Sequence, residues 1–156
     1  CTGTKNVGNS NKHVHLFYTD IGAVQYFIKP LAYESETDFE ASVDFTLRDT
    51  VEKPQARMVF SIYSENPVKG HSECKLSLND TETIEARKLF AEPTKKGYVY
   101  RYESIIQYEI LVNIIRNQTS FQVKIGEQNI KFSPTKKTLK TLPDVDRKTI
   151  SMIESR

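Results

Sequence analysis

The 156-residue sequence has no tryptophan and only two cysteines, Cys1 and Cys74. A chain of this length buries enough apolar surface to fold as one domain without metal ions or disulfides. It has no uninterrupted apolar run as long as a membrane-spanning helix. The formal net charge of +2 is too small to indicate nucleic-acid binding, which normally needs a concentrated basic face. Together these absences favour a globular domain. Its aromatic residues are 8 Tyr and 8 Phe.

Sequence patterns that mark common active sites are also missing. There is no Gly-rich phosphate loop, no His-Glu-x-x-His metal motif, no Gly-x-Ser-x-Gly elbow and no Cys-x-x-Cys pair. The sequence therefore predicts a protein without catalytic activity and without a cofactor.

Short segments with apolar residues at every second position run through most of the chain. The clearest, residues 39–48, is typical of an antiparallel strand with one buried face. Residues 83–91 fit a strand or a helical turn, and the strand is favoured because the next segment restarts the two-residue period. Eight or nine such segments, separated by turn residues, predict an all-β fold, an antiparallel β-sandwich that is immunoglobulin-like or similar.

The stretch from Ile105 to Phe132 is predicted to supply the central wall of this core as three strands in a meander. The inner face of its first strand is expected to carry Ile106, Tyr108, Ile110, Val112 and Ile114.

Short helices are predicted after the last strand. Residues 135–142 form the first, and Asp144 is expected to cap a second whose stripe of Val145, Ile150 and Ile153 docks on the β-body. The predicted organisation is a flexible tether over 1–12, a β-sandwich body over 13–133 and a helical segment over 134–156 packed on that body.

The first twelve residues are polar apart from Cys1 and Val7, and such a stretch cannot bury enough apolar surface to order itself. A cysteine followed by a polar linker resembles the start of mature bacterial lipoproteins. The resemblance covers residues 1–12 and implies that a signal peptide is removed before Cys1, that its thiol carries a diacylglycerol, and that the protein is held at a membrane of the bacterial cell envelope, facing the periplasm or the exterior. The alternative is a secreted protein with a Cys1–Cys74 disulfide.

A stripe of tyrosines is the candidate ligand surface. Tyr98, Tyr100 and Tyr102 fall on one face of a predicted strand, where their rings could stack a glycan or grip an extended protein segment. The same spacing is also typical of a buried core face.

A pair of histidines gives the alternative function. His13 and His15 are two residues apart on a predicted strand, so their rings point to one face and could hold a metal ion with His71 as a third ligand. Cupins are similar in placing a His-x-His pair on a strand, but the glutamate that follows it in that family is absent here. The main prediction is a lipid-anchored binding or scaffolding module without a metal site, and the alternative is a small metal-dependent enzyme.

Overall fold

The computed structural model describes residues 5–6, 12–79 and 82–155. Within these ranges the chain is mostly antiparallel strand, with two short helices at its carboxyl end and a third helix over residues 108–115. The predicted all-β class with short C-terminal helices is confirmed. The strands are β1 (Lys5–Asn6), β2 (Val14–Tyr18), β3 (Val24–Glu34), β4 (Glu40–Arg48), β5 (Ala56–Ser64), β6 (Cys74–Asn79), β7 (Glu82–Thr94), β8 (Gly97–Ile106), β9 (Phe121–Ile125) and β10 (Gln128–Pro134), and the helices are α1 (Tyr108–Ile115), α2 (Lys136–Lys148) and α3 (Ile150–Glu154).

The two layers of the sheet are joined by strands that belong to both. Hydrogen bonding runs in the order β3-β10-β9-β6-β7-β8-β5-β4 and returns to β3, because β4 also pairs with β3. The first part of β7 pairs with β6 and the rest with β8, while β10 pairs with β9 and then with β3. Such corner strands let one sheet fold over and enclose a core. β2 pairs with β3 outside this circuit, and β1 pairs with the free edge of β2.

The core follows from the two-residue period of the strands. β4 was predicted to have one buried face, and Ala41, Val43, Phe45 and Leu47 are indeed buried on it. Aromatic rings pack between the layers. The centroid of the Phe121 ring of β9 lies 4.9 Å from that of the Tyr33 ring of β3. Among the described residues, nearly all buried apolar side chains belong to one cluster, which includes the inner faces of the helices.

The segment predicted as the first central strand is α1, so that prediction was wrong. In a strand with one buried face, adjacent residues cannot both be buried, but in a helix positions three and four apart share a face. The helix begins after Gln107, whose carbonyl accepts the N–H of Ile110 at 3.1 Å. Its buried residues are Tyr108, Ile110, Leu111, Ile114 and Ile115. The two later strands of the meander, β9 and β10, are present as predicted.

The other ambiguous segments resolve in different ways. Residues 83–91 lie in β7, as predicted. The two predicted C-terminal helices have a different boundary, because α2 runs through Pro143 and the break falls at Thr149, so Asp144 is not a helix cap. Thr135 caps α2 by accepting the N–H of Thr138 at 3.2 Å. The predicted docked stripe is buried, comprising Val145, Ile150 and Ile153. In the described part of the chain, no helix is long and apolar enough to cross a membrane.

Candidate functional site

Strands β3, β4, β5 and β8 define two ends of the molecule. We call one the N-proximal end: it holds the β2–β3 turn (19–23), the β4–β5 loop (49–55) and the last residues of β8. We call the other the distal end: it holds the β3–β4 connection (35–39), the β5–β6 loop (65–73) and the turns at 95–96 and 126–127. A nine-residue strand such as β4 separates the ends by roughly 30 Å.

A groove of about 520 Å³ lies at the distal end, where the β3–β4 connection faces the β7–β8 turn. It combines acidic and basic side chains with two phenol rings, a mixture suited to a polar ligand that also offers a face for stacking. The charged and aromatic residues that line this distal groove are Asp38, Glu40, Tyr63, Glu65, Lys95, Lys96 and Tyr98.

Close backbone contacts fix the walls around the distal groove. Gly97 approaches the end of β5 so closely that a Cβ there would overlap the carbonyl oxygen of Ser64. Gly126 adopts φ +58°, and a Cβ there would overlap the carbonyl oxygen of Lys69. Its N–H donates to the carbonyl of Glu73 at 3.0 Å. Glycine is therefore needed at both turns to hold the β5–β6 loop in place.

The predicted tyrosine stripe is not an exposed surface, so the prediction was wrong for two of its three rings. The inner face of β8 continues the core, and Tyr100 and Tyr102 are 3% and 0% exposed. Their hydroxyls hold the β5–β6 loop: Tyr100 Oη accepts the N–H of Val68 at 2.9 Å, and Tyr102 Oη donates to the carbonyl of His71 at 2.5 Å. Burial raises the pKa of Tyr102. Tyr98 is half-buried and lines the distal groove.

The three histidines do not come together, so the alternative metal site was wrong. His15 lies on β2, which pairs with β3 and β1, and His13 lies just before this strand. His71 lies in the β5–β6 loop, with its ring 5.0 Å from that of Tyr100 and its Nδ1 3.3 Å from Lys88 Nζ. Across the described ranges, no group of three or more His, Cys, Asp or Glu side chains is placed to hold a metal ion.

The two cysteines are far apart in the chain, at residue 1 and on β6. Cys1 lies outside the described residues, but β1 begins at Lys5, which pairs with Tyr18 at the end of β2. Two residues of the predicted tether are therefore part of the sheet.

Cys74 is a free thiol on β6 and is 4% exposed, which argues against the alternative of a disulfide with Cys1. Burial raises the pKa of the Cys74 thiol to about 12.

Exposed apolar side chains concentrate at the N-proximal end. Among the described residues, the four large hydrophobic side chains with more than half of their surface exposed all lie there: Ile21 (70%), Val51 (59%), Ile105 (55%) and Tyr18 (54%). Sequence periodicity did not reveal this cluster because its members come from four separate elements, namely β2, the β2–β3 turn, the β4–β5 loop and β8. One local signal was present: Ile21 stands between Asp20 and Gly22 in a turn, where polar residues are usual.

Several charged residues on the outer face of the sheet form ion pairs between strands. On β8, Glu103 accepts hydrogen bonds from Arg87 Nε at 2.8 Å and Arg57 Nε at 2.6 Å, and these two arginines lower the pKa of its carboxyl group. Arg101 donates to Asp44 at 3.0 Å, close beside it. The two Glu103 pairs join β8 to its neighbours β7 and β5, and the Arg101–Asp44 pair reaches across β5 from β8 to β4. We assign these pairs to the stability of the sheet.

Comparison of the chain with protein-family models, curated proteins and solved structures gives no significant match.

Proposed function

We propose that the protein is a lipid-anchored module of the bacterial cell envelope that binds or scaffolds a partner and has no catalytic activity. The observation that carries this proposal is the position of β1 relative to the distal groove. β1 enters the sheet opposite Tyr18, at the N-proximal end, whereas the distal groove lies roughly 30 Å away. Attachment through the N-terminal segment would leave the distal groove facing away from the membrane.

The anchor in this proposal is a diacylglycerol on Cys1, as the resemblance to lipoproteins implies. Two acyl chains hold a protein stably at a membrane, whereas a single chain gives only marginal binding. The alternative is a secreted protein, in which Cys1 carries no lipid. That alternative predicts that the protein is found in the culture medium and not with the membranes.

The ligand in this proposal is a glycan or an extended protein segment held in the distal groove. Tyr63 and Tyr98 offer ring surface at the groove, and Lys95 and Lys96 line it together with acidic residues that can accept hydrogen bonds. Polar polymers of the cell envelope carry both hydroxyl groups and charged groups, so side chains of both signs beside aromatic rings match their chemistry.

Anchoring is tested by fractionating cells that produce the protein from its own gene. The wild-type chain should be found with the membranes and should enter the detergent phase, while Cys1→Ser should stay in the aqueous phase. Equal partitioning of the two chains would refute the anchor, and wild-type protein in the culture medium would favour the secreted alternative.

Binding is tested by titrating the purified domain with soluble cell-wall glycan fragments and with an extended peptide library while NMR signals are recorded. Shifts should concentrate at residues of the distal groove. Tyr98→Ala should weaken binding by about 1 kcal/mol, roughly fivefold, because an aromatic contact is lost. The matched control is Phe90→Ala, since Phe90 is 39% exposed and does not line the groove. Equal effects of the two substitutions would place the binding site elsewhere.

A further inference from the structure

We infer that the N-proximal end lies directly against the bilayer, with Tyr18, Ile21 and Val51 in its interfacial region. The inference rests on the proposed function, since it requires a lipid at Cys1. It goes further because it assigns a second, protein-borne contact with lipid and therefore a fixed orientation to the anchored domain.

The β2–β3 turn presents Ile21 in a rigid frame. The N–H of Thr19 donates to the carbonyl of Ala23 at 2.9 Å, and the N–H of Gly22 donates to the carbonyl of Thr19 at 3.0 Å. The Thr19 hydroxyl lies 3.2 Å from the Ala23 carbonyl oxygen as well, and Thr19 is only 6% exposed. The turn is thus pinned at its base, and Ile21 projects from it 70% exposed. Moving such an exposed aliphatic side chain from water into an apolar medium lowers the free energy.

The neighbouring side chains extend the same surface. Tyr18 closes β2 beside this turn, and the β4–β5 loop that carries Val51 starts next to it, because the N–H of Asp49 donates to the carbonyl of Val24 at 2.9 Å. A tyrosine at the border of an aliphatic patch is typical of side chains that sit at the level of lipid head groups.

The short segment between Cys1 and β1 indicates that a bilayer covers this surface. Lys5 pairs with Tyr18, and Cys1 is four residues earlier in the sequence. Four residues span at most roughly 14 Å when fully extended. Since the head-group region on each side of a bilayer is several ångströms thick, a lipid on Cys1 brings the N-proximal end to the membrane surface or into it.

The charges around this surface indicate how it should respond to lipid composition. Arg48 and Lys53 are exposed there, but so are Asp20 and Glu52. Because both signs are present, attraction to anionic head groups should contribute little. The contact should therefore form on neutral and anionic membranes alike and should depend only weakly on salt.

The experiment couples the chain chemically to vesicles, so its outcome does not depend on whether cells attach a lipid to Cys1. A maleimide phospholipid in phosphatidylcholine vesicles reacts with the Cys1 thiol, while Cys74 is protected because it is 4% exposed. A Cys1→Ser chain checks that no other site couples. Since the sequence has no tryptophan, Tyr18→Trp supplies a single fluorescent reporter at the N-proximal end. Tyr63→Trp is the matched reporter at the distal end, where Tyr63 is 42% exposed.

After coupling, emission from Tyr18→Trp should shift to shorter wavelength and be quenched by brominated lipid chains, while Tyr63→Trp should show neither change. Vesicles with anionic phosphatidylglycerol should give the same result. In the wild-type chain, hydrogen exchange should slow on coupling at residues 19–23 and 49–53. Equal emission from the two reporters, together with unchanged exchange at these turns, would overturn the inference and would leave the lipid anchor itself untouched.

Discussion

Replacing Ile114 and Ile115 by alanine, one at a time, tests whether the segment after β8 is the helix α1. Both side chains are buried, at 0% and 1% exposure, although they are adjacent in the sequence. A strand with one buried face would bury Ile114 and expose Ile115. The two substitutions are chemically identical, so any difference between them reports the local backbone structure.

The helix predicts similar and large losses. Removing a buried isoleucine side chain to alanine costs about 2–5 kcal/mol, because transfer free energy is lost and a cavity remains. In a domain of this size each kcal/mol lowers the melting temperature by about 2–4 °C, so each variant should melt roughly 4–20 °C below wild type. Alanine's higher helix propensity offsets only a few tenths of a kcal/mol.

Thermal denaturation followed by circular dichroism, with denaturant titration at constant slope, measures both variants. Ile105→Ala is the control, since Ile105 is 55% exposed and its loss should cost less than about 1 kcal/mol. If Ile115→Ala proved as mild as Ile105→Ala while Ile114→Ala remained costly, the segment would be a strand and the reasoning would be refuted.

Three further predictions concern the tail, the buried thiol and the distal turns. Deleting residues 149–156 should lower the melting temperature by several degrees, since the two buried isoleucines of α3 contribute roughly 3–6 kcal/mol before ordering entropy is subtracted; unchanged calorimetric melting would show that α3 does not stabilise the body. Burial raises the pKa of Cys74 from 9.0 to about 12, so the stability contributed by the neutral thiol is complete below pH 9 and is lost as the pH rises toward 12. Between about pH 8 and about pH 10.5, the free energy of unfolding measured by denaturation should therefore fall less in Cys74→Ala than in wild type. Equal decreases in the two chains would contradict this. Gly126→Ala should lower the urea midpoint more than Gly22→Ala does. Both glycines have positive φ, but a Cβ at Gly126 would overlap the carbonyl oxygen of Lys69, whereas nothing lies within 4 Å of a Cβ at Gly22. Equal midpoints would mean that the Lys69 carbonyl does not restrict the residue at position 126.

The parts of the fold that the sequence predicted are those where only one period fits. In β4, Val43 and Phe45 alternate with polar residues, so a strand with one buried face was the only consistent interpretation. The stripe in α2 and α3 was similarly clear, although Pro143 suggested a break that the helix does not make.

The α1 segment could not be resolved from sequence because its apolar residues are too dense. Isoleucines at 110, 114 and 115 with Leu111 and Val112 satisfy a two-residue period and a helical period at once, and β-branched residues favour a strand. Tertiary packing decided the outcome, because the helix alone buries both Ile114 and Ile115 in the shared core.

The distal groove was beyond sequence reasoning for a different reason. Its lining comes from three connections that are far apart in the chain and meet only after the sheet folds over. Tyr98 was selected from the tyrosine stripe, but Tyr63 was not, since it belongs to another strand and lies on the opposite face of the sheet. The N-proximal cluster was missed for the same reason.

Mass spectrometry of the N-terminal peptide from the protein purified out of its own cells tests the central claim most directly. The account predicts a peptide that starts at Cys1 and is heavier than its sequence by a diacylglycerol on the thiol, with the lipid lost from the Cys1→Ser chain. A peptide with an unmodified Cys1, or with residues still attached before it, would contradict the lipid anchor and with it the proposed orientation in the cell.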